Sequence, residues 1–357
     1  MRILERLDEL YAIGGGPGAN RPHPSAAEDE AHRLAATWLE EAGLEVEVDR
    51  HGNLFGHVRG GSDVDKVSDT VSDTCWVGSH LDSVPRGGRF DGALGVVAGI
   101  EAVERVGAGS VVVFRGEEVG CVGSRALVAG DSPLPRFFLE LHVEQGPVLA
   151  ERDVSLGVVT GIVGYARGEL VVEGQAGHAG TTPMAGREDA LVAAASEIQR
   201  TRDAALGIPG TVATIGKVAV EPGGANVIPS RVWMSLDVRA PDTELLDALI
   251  AEIGFEVGYR VEPSQFAGTA PQALRDAIEA RSLPLVELAS GAGHDAGILA
   301  SAGVDAAMLF VRSLNGGVSH SPDELSSEED IALAIDVLGD ALARLAEGEA
   351  SLAPTTR

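Results

Sequence analysis

Cysteine is nearly missing from this chain: Cys75 and Cys121 are the only two in 357 residues. So low a count excludes a disulfide framework, and two reduced thiols are expected. Long hydrophobic runs are missing too. No stretch reaches the roughly 18 apolar residues of a membrane span, and the opening Met1-Arg2-Ile3-Leu4-Glu5-Arg6 lacks the apolar segment of a secretory signal. A soluble, cytoplasmic protein is the expectation. Positive charge is scarce, with 27 basic against 54 acidic residues and a formal net charge of −27. That balance argues against nucleic acid or an acidic membrane surface as partner. Lysine is almost gone, since Lys66 and Lys217 stand against 25 arginines. Self-repulsion of this size costs stability unless salt screens it, and the screening length shrinks to about 3 Å at 1 M. A salt-adapted, halophilic cytoplasm fits this pattern; arginine bias from a GC-rich genome fits it as well.

What is present is enough apolar residue, 45%, for one large core or two smaller ones. Residues 25–42 read as an amphipathic helix capped by Ser25 and stopped at Gly43. Leu44–Val48 and Asn53–Val58 read as paired strands, and the polar stretch 60–74 as a solvated loop. The apolar runs Cys75-Trp76-Val77-Gly78 and Val111-Val112-Val113-Phe114 each lead through polar residues into a helical segment. That alternation predicts an α/β fold with a mostly parallel, helix-covered sheet, whose ligands gather beyond the carboxyl ends of the strands. From about Val158 the character changes to a compact α+β insert, 158–267, with strands near 169–172, 211–220 and 232–239 and helices near 187–205 and 242–255. The first pattern then resumes: helix 271–282, strand 285–289, helix 294–301, strand 305–311 and helix 327–346. A discontinuous large domain, 1–157 with 268–357, is therefore expected, ending in a frayed Thr355-Thr356-Arg357.

Imidazoles and carboxylates recur at the strand ends: His80, Asp91, Glu117-Glu118, His142 and the remote His320. Borderline divalent metals prefer such ligands, and two ions sharing one carboxylate use about this many side chains. His80 and Asp82 point the same way on a strand, so Asp82 could hydrogen-bond the other ring nitrogen of a ligating His80. A surface histidine beside a salt-bridging aspartate fits equally. Asp91, in a glycine-rich turn before a helix, could bridge two cations or simply cap the helix. Of Glu117 and Glu118, one could ligate metal while the other serves as general base; a solvated acidic pair is the bland alternative. His142 and His320 gain weight only as members of the set.

In the insert, His178 sits among small residues and could polarise a carbonyl, or be a turn histidine. Arg239 offers a planar fork for a carboxylate and Asn226 a neutral donor; a surface salt bridge suits Arg239 as well. Gly14-Gly15-Gly16-Pro17-Gly18 has no preceding strand or following lysine, so it is a flexible turn and not a phosphate loop. His294 opens a helix in Gly291-Ala292-Gly293-His294-Asp295 and reads as a support for the site.

Several of these segments together resemble one family. Gly78-Ser79-His80-Leu81-Asp82-Ser83-Val84-Pro85, Gly87-Gly88-Arg89-Phe90-Asp91-Gly92, His142 to Pro147, Gly177-His178-Ala179-Gly180-Thr181-Thr182-Pro183-Met184, Asn226-Val227-Ile228-Pro229 and Ser290 to Asp295 are similar to motifs of the hydantoinase/carbamoylase branch of metal-dependent amidases. That branch holds N-carbamoyl-L-amino-acid hydrolases and allantoate amidohydrolases, and belongs with aminoacylases and carboxypeptidases. The resemblance implies two divalent ions (Zn, Mn or Co), with Asp91 bridging, His80 and His142 completing one site, and Glu118 and His320 the other. It implies Glu117 as general base, and His178, Asn226 and Arg239 as substrate contacts from an insert that also forms a homodimer. His178 would then serve the partner's site. Gln145 is a further substrate contact on this reading, and Asp82 and His294 stand behind the ligands.

The chain departs from the family pattern after Glu118, where Val119-Gly120-Cys121-Val122-Gly123-Ser124-Arg125 replaces a glycine-arginine-phenylalanine stretch. The interval to His142 is also short. Hydrolysis of a ureido or amide C–N bond beside a free carboxylate is the expected activity. An aminoacylase or dipeptidase with the same centre, or a non-catalytic metal-binding scaffold, are the alternatives.

Overall fold

A computed structural model describes residues 2–58 and 74–352. Of the stretch expected to be a solvated loop, 60–74, only Thr74 lies within the described residues, and the expected frayed end 355–357 lies outside them. The chain divides into two compact units, Met1–Thr160 with Gln265–Arg357, and Gly161–Ser264.

The larger unit is a mixed α/β fold. Strands β1 (Leu44–Val48), β2 (Leu54–Val58), β3 (Cys75–His80), β4 (Ser110–Phe114), β5 (Phe137–Val143), β6 (Leu156–Ile162), β13 (Ser264–Gln265), β14 (Glu287–Ser290) and β15 (Asp305–Val311) form one nine-stranded sheet. Its order is β1-β2-β4-β3-β5-β15-β6-β13, with β14 also on β6. The central four, β4-β3-β5-β15, are mutually parallel. The flanking pairs β1–β2, β2–β4 and β15–β6 are antiparallel. Buried on both faces, the central strands are near-continuous apolar runs such as Val111-Val112-Val113, as parallel strands are.

Helices α1 (Arg2–Ala12) and α2 (Ala26–Glu41) precede the sheet, and the Ser25 hydroxyl accepts from Glu28 N to cap α2 as expected. Helix α3 (Ala93–Val106) follows β3. Short α4 (Val122–Val128) and α5 (Val148–Glu151) follow β4 and β5. Of the insert's two helices, α6 is Ala190–Gly207 and α7 Thr243–Ile253. Returning to the large unit, α8 is Thr269–Ala280, α9 Asp295–Ser301 and α10 Glu328–Leu352.

Side-chain alternation decides which way each functional residue faces. On β5, Phe137, Leu139, Leu141 and Val143 join the main core with α3, α8 and α10. Phe138, Glu140 and His142 therefore share the opposite face, where Phe138 meets Phe114 edge-on. On β3, Cys75 and Val77 enter the main core, which puts His80 on that same opposite face.

The smaller unit has a four-stranded antiparallel sheet, β12-β7-β11-β9, made of β7 (Gly164–Glu173), β9 (Val212–Glu221), β11 (Arg231–Ala240) and β12 (Glu256–Val261). Val232, Met234, Leu236, Val238 and Ala240 alternate along β11 and are buried, packing with α6 and α7. Asp189 and Asp242 cap those helices through the backbone N–H groups of Leu191, Val192 and Leu245. A small ribbon, β8 (Gly177–His178) with β10 (Val227–Ile228), completes the unit. The observed boundaries, 161 and 264, lie three residues inside the expected 158 and 267. Strand β6 crosses the first of these boundaries, its Leu156–Val159 pairing with β15 in the large sheet.

Candidate active site

Four parallel strands end on one side of the large unit, and the expected ligands follow those ends. His80 closes β3, Glu117 and Glu118 come three and four residues after β4, His142 is the penultimate residue of β5, and the segment after β15 leads to His320. Asp91 lies in the turn that opens α3. Gly92 has φ 63°, and a Cβ there would overlap the His80 imidazole, so only glycine suits this turn.

The side chains meet in two groups that share Asp91. His80, Asp91 and His142 form one, and Asp91, Glu118 and His320 the other, with the ligand atoms of each group within 4.8 Å of one another. His142 Nε2 is 3.2 Å and His80 Nε2 3.9 Å from Asp91 Oδ1. His320 Nε2 is 3.4 Å from both Asp91 Oδ2 and Glu118 Oε2. His320 is about half exposed, while His80, Asp91 and His142 are buried.

Both buried imidazoles are set in one tautomer. His142 Nδ1 donates to the Val143 carbonyl at 2.9 Å, and His80 Nδ1 to the Asp82 carbonyl at 3.2 Å. Each ring therefore turns its Nε2 toward Asp91. His80 Nε2 is buried and has no hydrogen-bond partner. A buried, unpartnered imidazole nitrogen facing carboxylates suits a cation.

Asp82 does more than orient His80, whose Nδ1 is 3.3 Å from its Oδ1. Its two oxygens accept the backbone N–H groups of Glu117 and Glu118, at 3.0 and 3.1 Å. One carboxylate thus fixes both a candidate ligand, His80, and the turn that carries the acidic pair. Glu117 Oε2 faces His80 Nε2 at 3.8 Å and its Oε1 faces His294 Nδ1 at 3.6 Å. His294, the residue before α9, also packs its ring 4.5 Å from that of His142.

The electrostatics follow from burial and crowding. Burial opposes ionisation of Asp91, yet His142, His80 and His320 outweigh it and hold the carboxyl below its usual range. Burial pushes Glu117 well above the usual carboxyl range; His80 pulls it back, while Asp295, Glu118 and Asp91 add to the rise. Burial, together with His142 and His80, holds His294 neutral, well below its ordinary value. Asp295 is pushed up to about 8 by burial and by Glu140.

Gln145 is drawn into the same cluster: its Nε2 donates to Asp91 Oδ2 and to Ser319 Oγ, both at 3.1 Å. The insert residues divide. His178 pairs with Val227 across the small ribbon, next to Asn226, and its Nδ1 accepts from Gly180 N and Thr181 N. Its Nε2 then carries the proton as a donor. That ribbon hangs from the end of the four-stranded sheet where Arg231 pairs with Glu173 and Glu221. Arg239 lies eight residues along β11, roughly 27 Å away. There it pairs with Asp237 and lies over the Tyr165 ring, at the end where the chain enters and leaves the insert. One insert therefore cannot close all three residues on one carboxylate.

Buried acids that the sequence reading passed over complete the surroundings. Glu140 accepts from Ser79 Oγ and Ala296 N. Ser124 donates to Asp295 at 2.6 Å. Glu324 accepts from the turn of Asp91. A single charge inside the apolar Phe137–Val143 run was a legible signal for Glu140; Glu324, in a polar loop, offered none.

The sequence profile of peptidase family M20/M25/M40 matches residues 76–344. The chain belongs to this family. Among its M20 relatives, the N-carbamoyl-L-amino acid amidohydrolase of Geobacillus stearothermophilus is 36% identical over 98% of this chain and 99% of that protein. The allantoate amidohydrolase of Bacillus subtilis (strain 168) is 30% identical over 89% and 90%. An amidase of the hydantoinase/carbamoylase family from Burkholderia multivorans superposes with a TM-score of 0.83, at 32% identity and 97% coverage of each chain. M20 membership implies dependence on divalent cations, which the two ligand groups suit.

Proposed function

We propose that this enzyme hydrolyses the ureido C–N bond of N-carbamoyl-L-amino acids or allantoate-like ureido acids. The observation that carries this reading is the pair of ligand groups sharing Asp91, with Glu117 beside them. The relatives bearing carbamoyl-amino-acid and allantoate names, similar over nearly the whole chain, point to the same bond.

His80, Asp91 and His142 would hold one divalent ion (zinc, manganese or cobalt), and Asp91, Glu118 and His320 a second. Bound there, such ions would supply Lewis acidity toward the scissile carbonyl and the attacking water. Glu117 takes the proton of that water at Oε2, the oxygen turned toward His80, and passes it to the departing nitrogen. Burial, with Asp295, Glu118 and Asp91, favours the protonated form of Glu117, the form that returns the proton to the departing nitrogen. Asp82 keeps Glu117 and Glu118 in register through their backbone N–H groups. His178 Nε2–H donates to the developing oxyanion, and Arg239 and Asn226 hold the substrate carboxylate. From a carbamoyl amino acid this cleavage leaves a carbamate, which loses carbon dioxide as its remaining C–N bond breaks, so the products are the amino acid, ammonia and carbon dioxide.

Because His178 and Asn226 occupy the opposite end of the insert's sheet from Arg239, they serve a different subunit's site from the one that Arg239 serves. The active form is then a homodimer. Exposed apolar residues on the insert, Leu191, Val192 and Leu206 of α6 and Val212 and Val218 of the edge strand β9, supply a surface for that contact.

The deciding experiment is ammonia release from N-carbamoyl-L-amino acids and from allantoate, with N-acyl amino acids and dipeptides as counter-substrates, in high salt with each metal. Ammonia from a ureido acid is the expected result. Turnover of acyl or peptide substrates alone would move the reading to an aminoacylase or dipeptidase.

A further inference from the structure

Glu324 follows His320 by four residues, in Ser321-Pro322-Asp323-Glu324, and is 5% exposed. A buried carboxylate is costly unless donors compensate it, and both oxygens of this one are engaged. Oε1 accepts from Phe90 N at 2.7 Å and Asp91 N at 3.1 Å. Oε2 accepts the Ser319 hydroxyl at 2.7 Å. Ser319 Oγ in turn accepts from Gln145 Nε2, which also donates to Asp91 Oδ2, each at 3.1 Å. The contacts form a closed ring that leaves the Asp91 backbone and returns to the Asp91 side chain. The Asp91 turn has made room for it, since a Cβ on Gly88 would overlap the Glu324 carboxylate. The ring also spans two conformations unusual for residues other than glycine, His320 at φ 53° and Gln145 at φ 57°. Left-handed backbone of this kind persists only where surrounding contacts impose it.

We propose that Glu324 is a positioning residue for the metal centre. It fixes Asp91 from the backbone side and, through Ser319, ties the half-exposed His320 loop to the same carboxylate. Both ligand groups are thereby set in place before any cation arrives. The inference rests on the metal-centre reading above, but its test does not require turnover.

The test is calorimetric titration of the full-length, cation-free protein with Mn2+, with the melting temperature of each variant measured alongside. Glu324→Ala and Gly88→Ala are expected to weaken binding at both groups by about 10–100-fold, the usual cost of removing a residue that orients ligands. Ser319→Ala is expected to weaken mainly the group containing His320. Glu324→Gln keeps an oxygen for the two backbone donors and turns an NH2 toward Ser319 Oγ, which then accepts where it had donated, so it should stay closer to wild-type affinity than Glu324→Ala. Leu338→Ala, in the core face of α10, serves as a control that lowers the melting temperature without touching the ring.

Wild-type affinity in a folded Glu324→Ala protein overturns the proposal. So does a loss of affinity in Leu338→Ala that matches its loss of stability. If Glu324→Ala does not fold, Ser319→Ala against Glu324→Gln decides: a loss in the serine variant alone supports the role, and equal affinity overturns it. Two cations bound without ammonia release from any ureido acid would sink the proposed reaction and leave this role standing.

Discussion

Glu117 shows how position rather than residue type confers a role. Glu118 beside it lies 3.4 Å from His320 and joins a ligand group, whereas Glu117 is turned toward His80 and His294. Replacing Glu117 with glutamine should leave two cations bound, read by calorimetry, while lowering kcat about 10²–10⁴-fold, the usual share of general acid–base catalysis. A variant with near-normal turnover would remove Glu117 as the base. A second residue-scale consequence concerns His32 of α2, which is pushed down to about 3 by burial and by Arg115. An unfolded chain binds the proton near pH 6.5. Between that pH and about 3 the unfolded state therefore holds a proton that the native state refuses. Stability contributed by neutral His32 is present at pH 7 and falls as the pH drops through this window. In denaturant titrations from pH 7 to 4, His32→Leu should show a shallower decline than the wild type, by at most about 1.4 kcal/mol per pH unit. Parallel curves for the two proteins would refute the assignment.

Elements decide which side chains can cooperate. The parallel strands β3, β4, β5 and β15 end together, and the single-residue alternation along β3 and β5 turns His80 and His142 to the same face. These placements were legible beforehand, because apolar runs followed by polar strand ends are a local pattern. Between 161 and 264 the helices and most of the strands lie within a few residues of expectation. What could not be read was that Arg239 and Asn226 stand at opposite ends of β11, since a strand's length separates them only after its pairing is known. This is the ground for placing subunit contacts on the insert. A Val192→Glu, Val218→Glu double variant, charged on α6 and on the edge strand β9, should sediment as a monomer with an unchanged circular dichroism spectrum. It should also lose turnover, because each site then lacks the insert residues that its partner contributes. An active monomer would contradict that arrangement.

At the scale of the whole molecule, charge dominates. With a net −27, the arginines are placed to bridge carboxylates: Arg281 reaches Asp336 and Asp340, Arg312 reaches Asp153 and Asp330, and Arg260 reaches Asp247 and Glu262. Apart from Arg312–Asp330, whose aspartate is buried, these pairs are exposed enough to contribute little individually, and they leave most of the acidic excess unopposed. The melting temperature should therefore rise with KCl well past the ionic strength at which an ordinary protein levels off, because screening relieves self-repulsion. A flat response would identify the arginine excess as genome composition. Among the described residues no helix is long and apolar enough to cross a membrane.

Sequence by itself determined the imidazoles and carboxylates at strand ends, the mixed α/β fold and the family, because each is written in short-range pattern or motif. Tertiary structure alone decided the rest: the tautomers of His80 and His142, the bidentate hold of Asp82 on the acidic pair, and the ring through Glu324 that joins residues more than 200 positions apart. Those features depend on which buried donor finds which acceptor once the chain has closed. A hydrogen bond between distant segments leaves no periodicity in the sequence that encodes it.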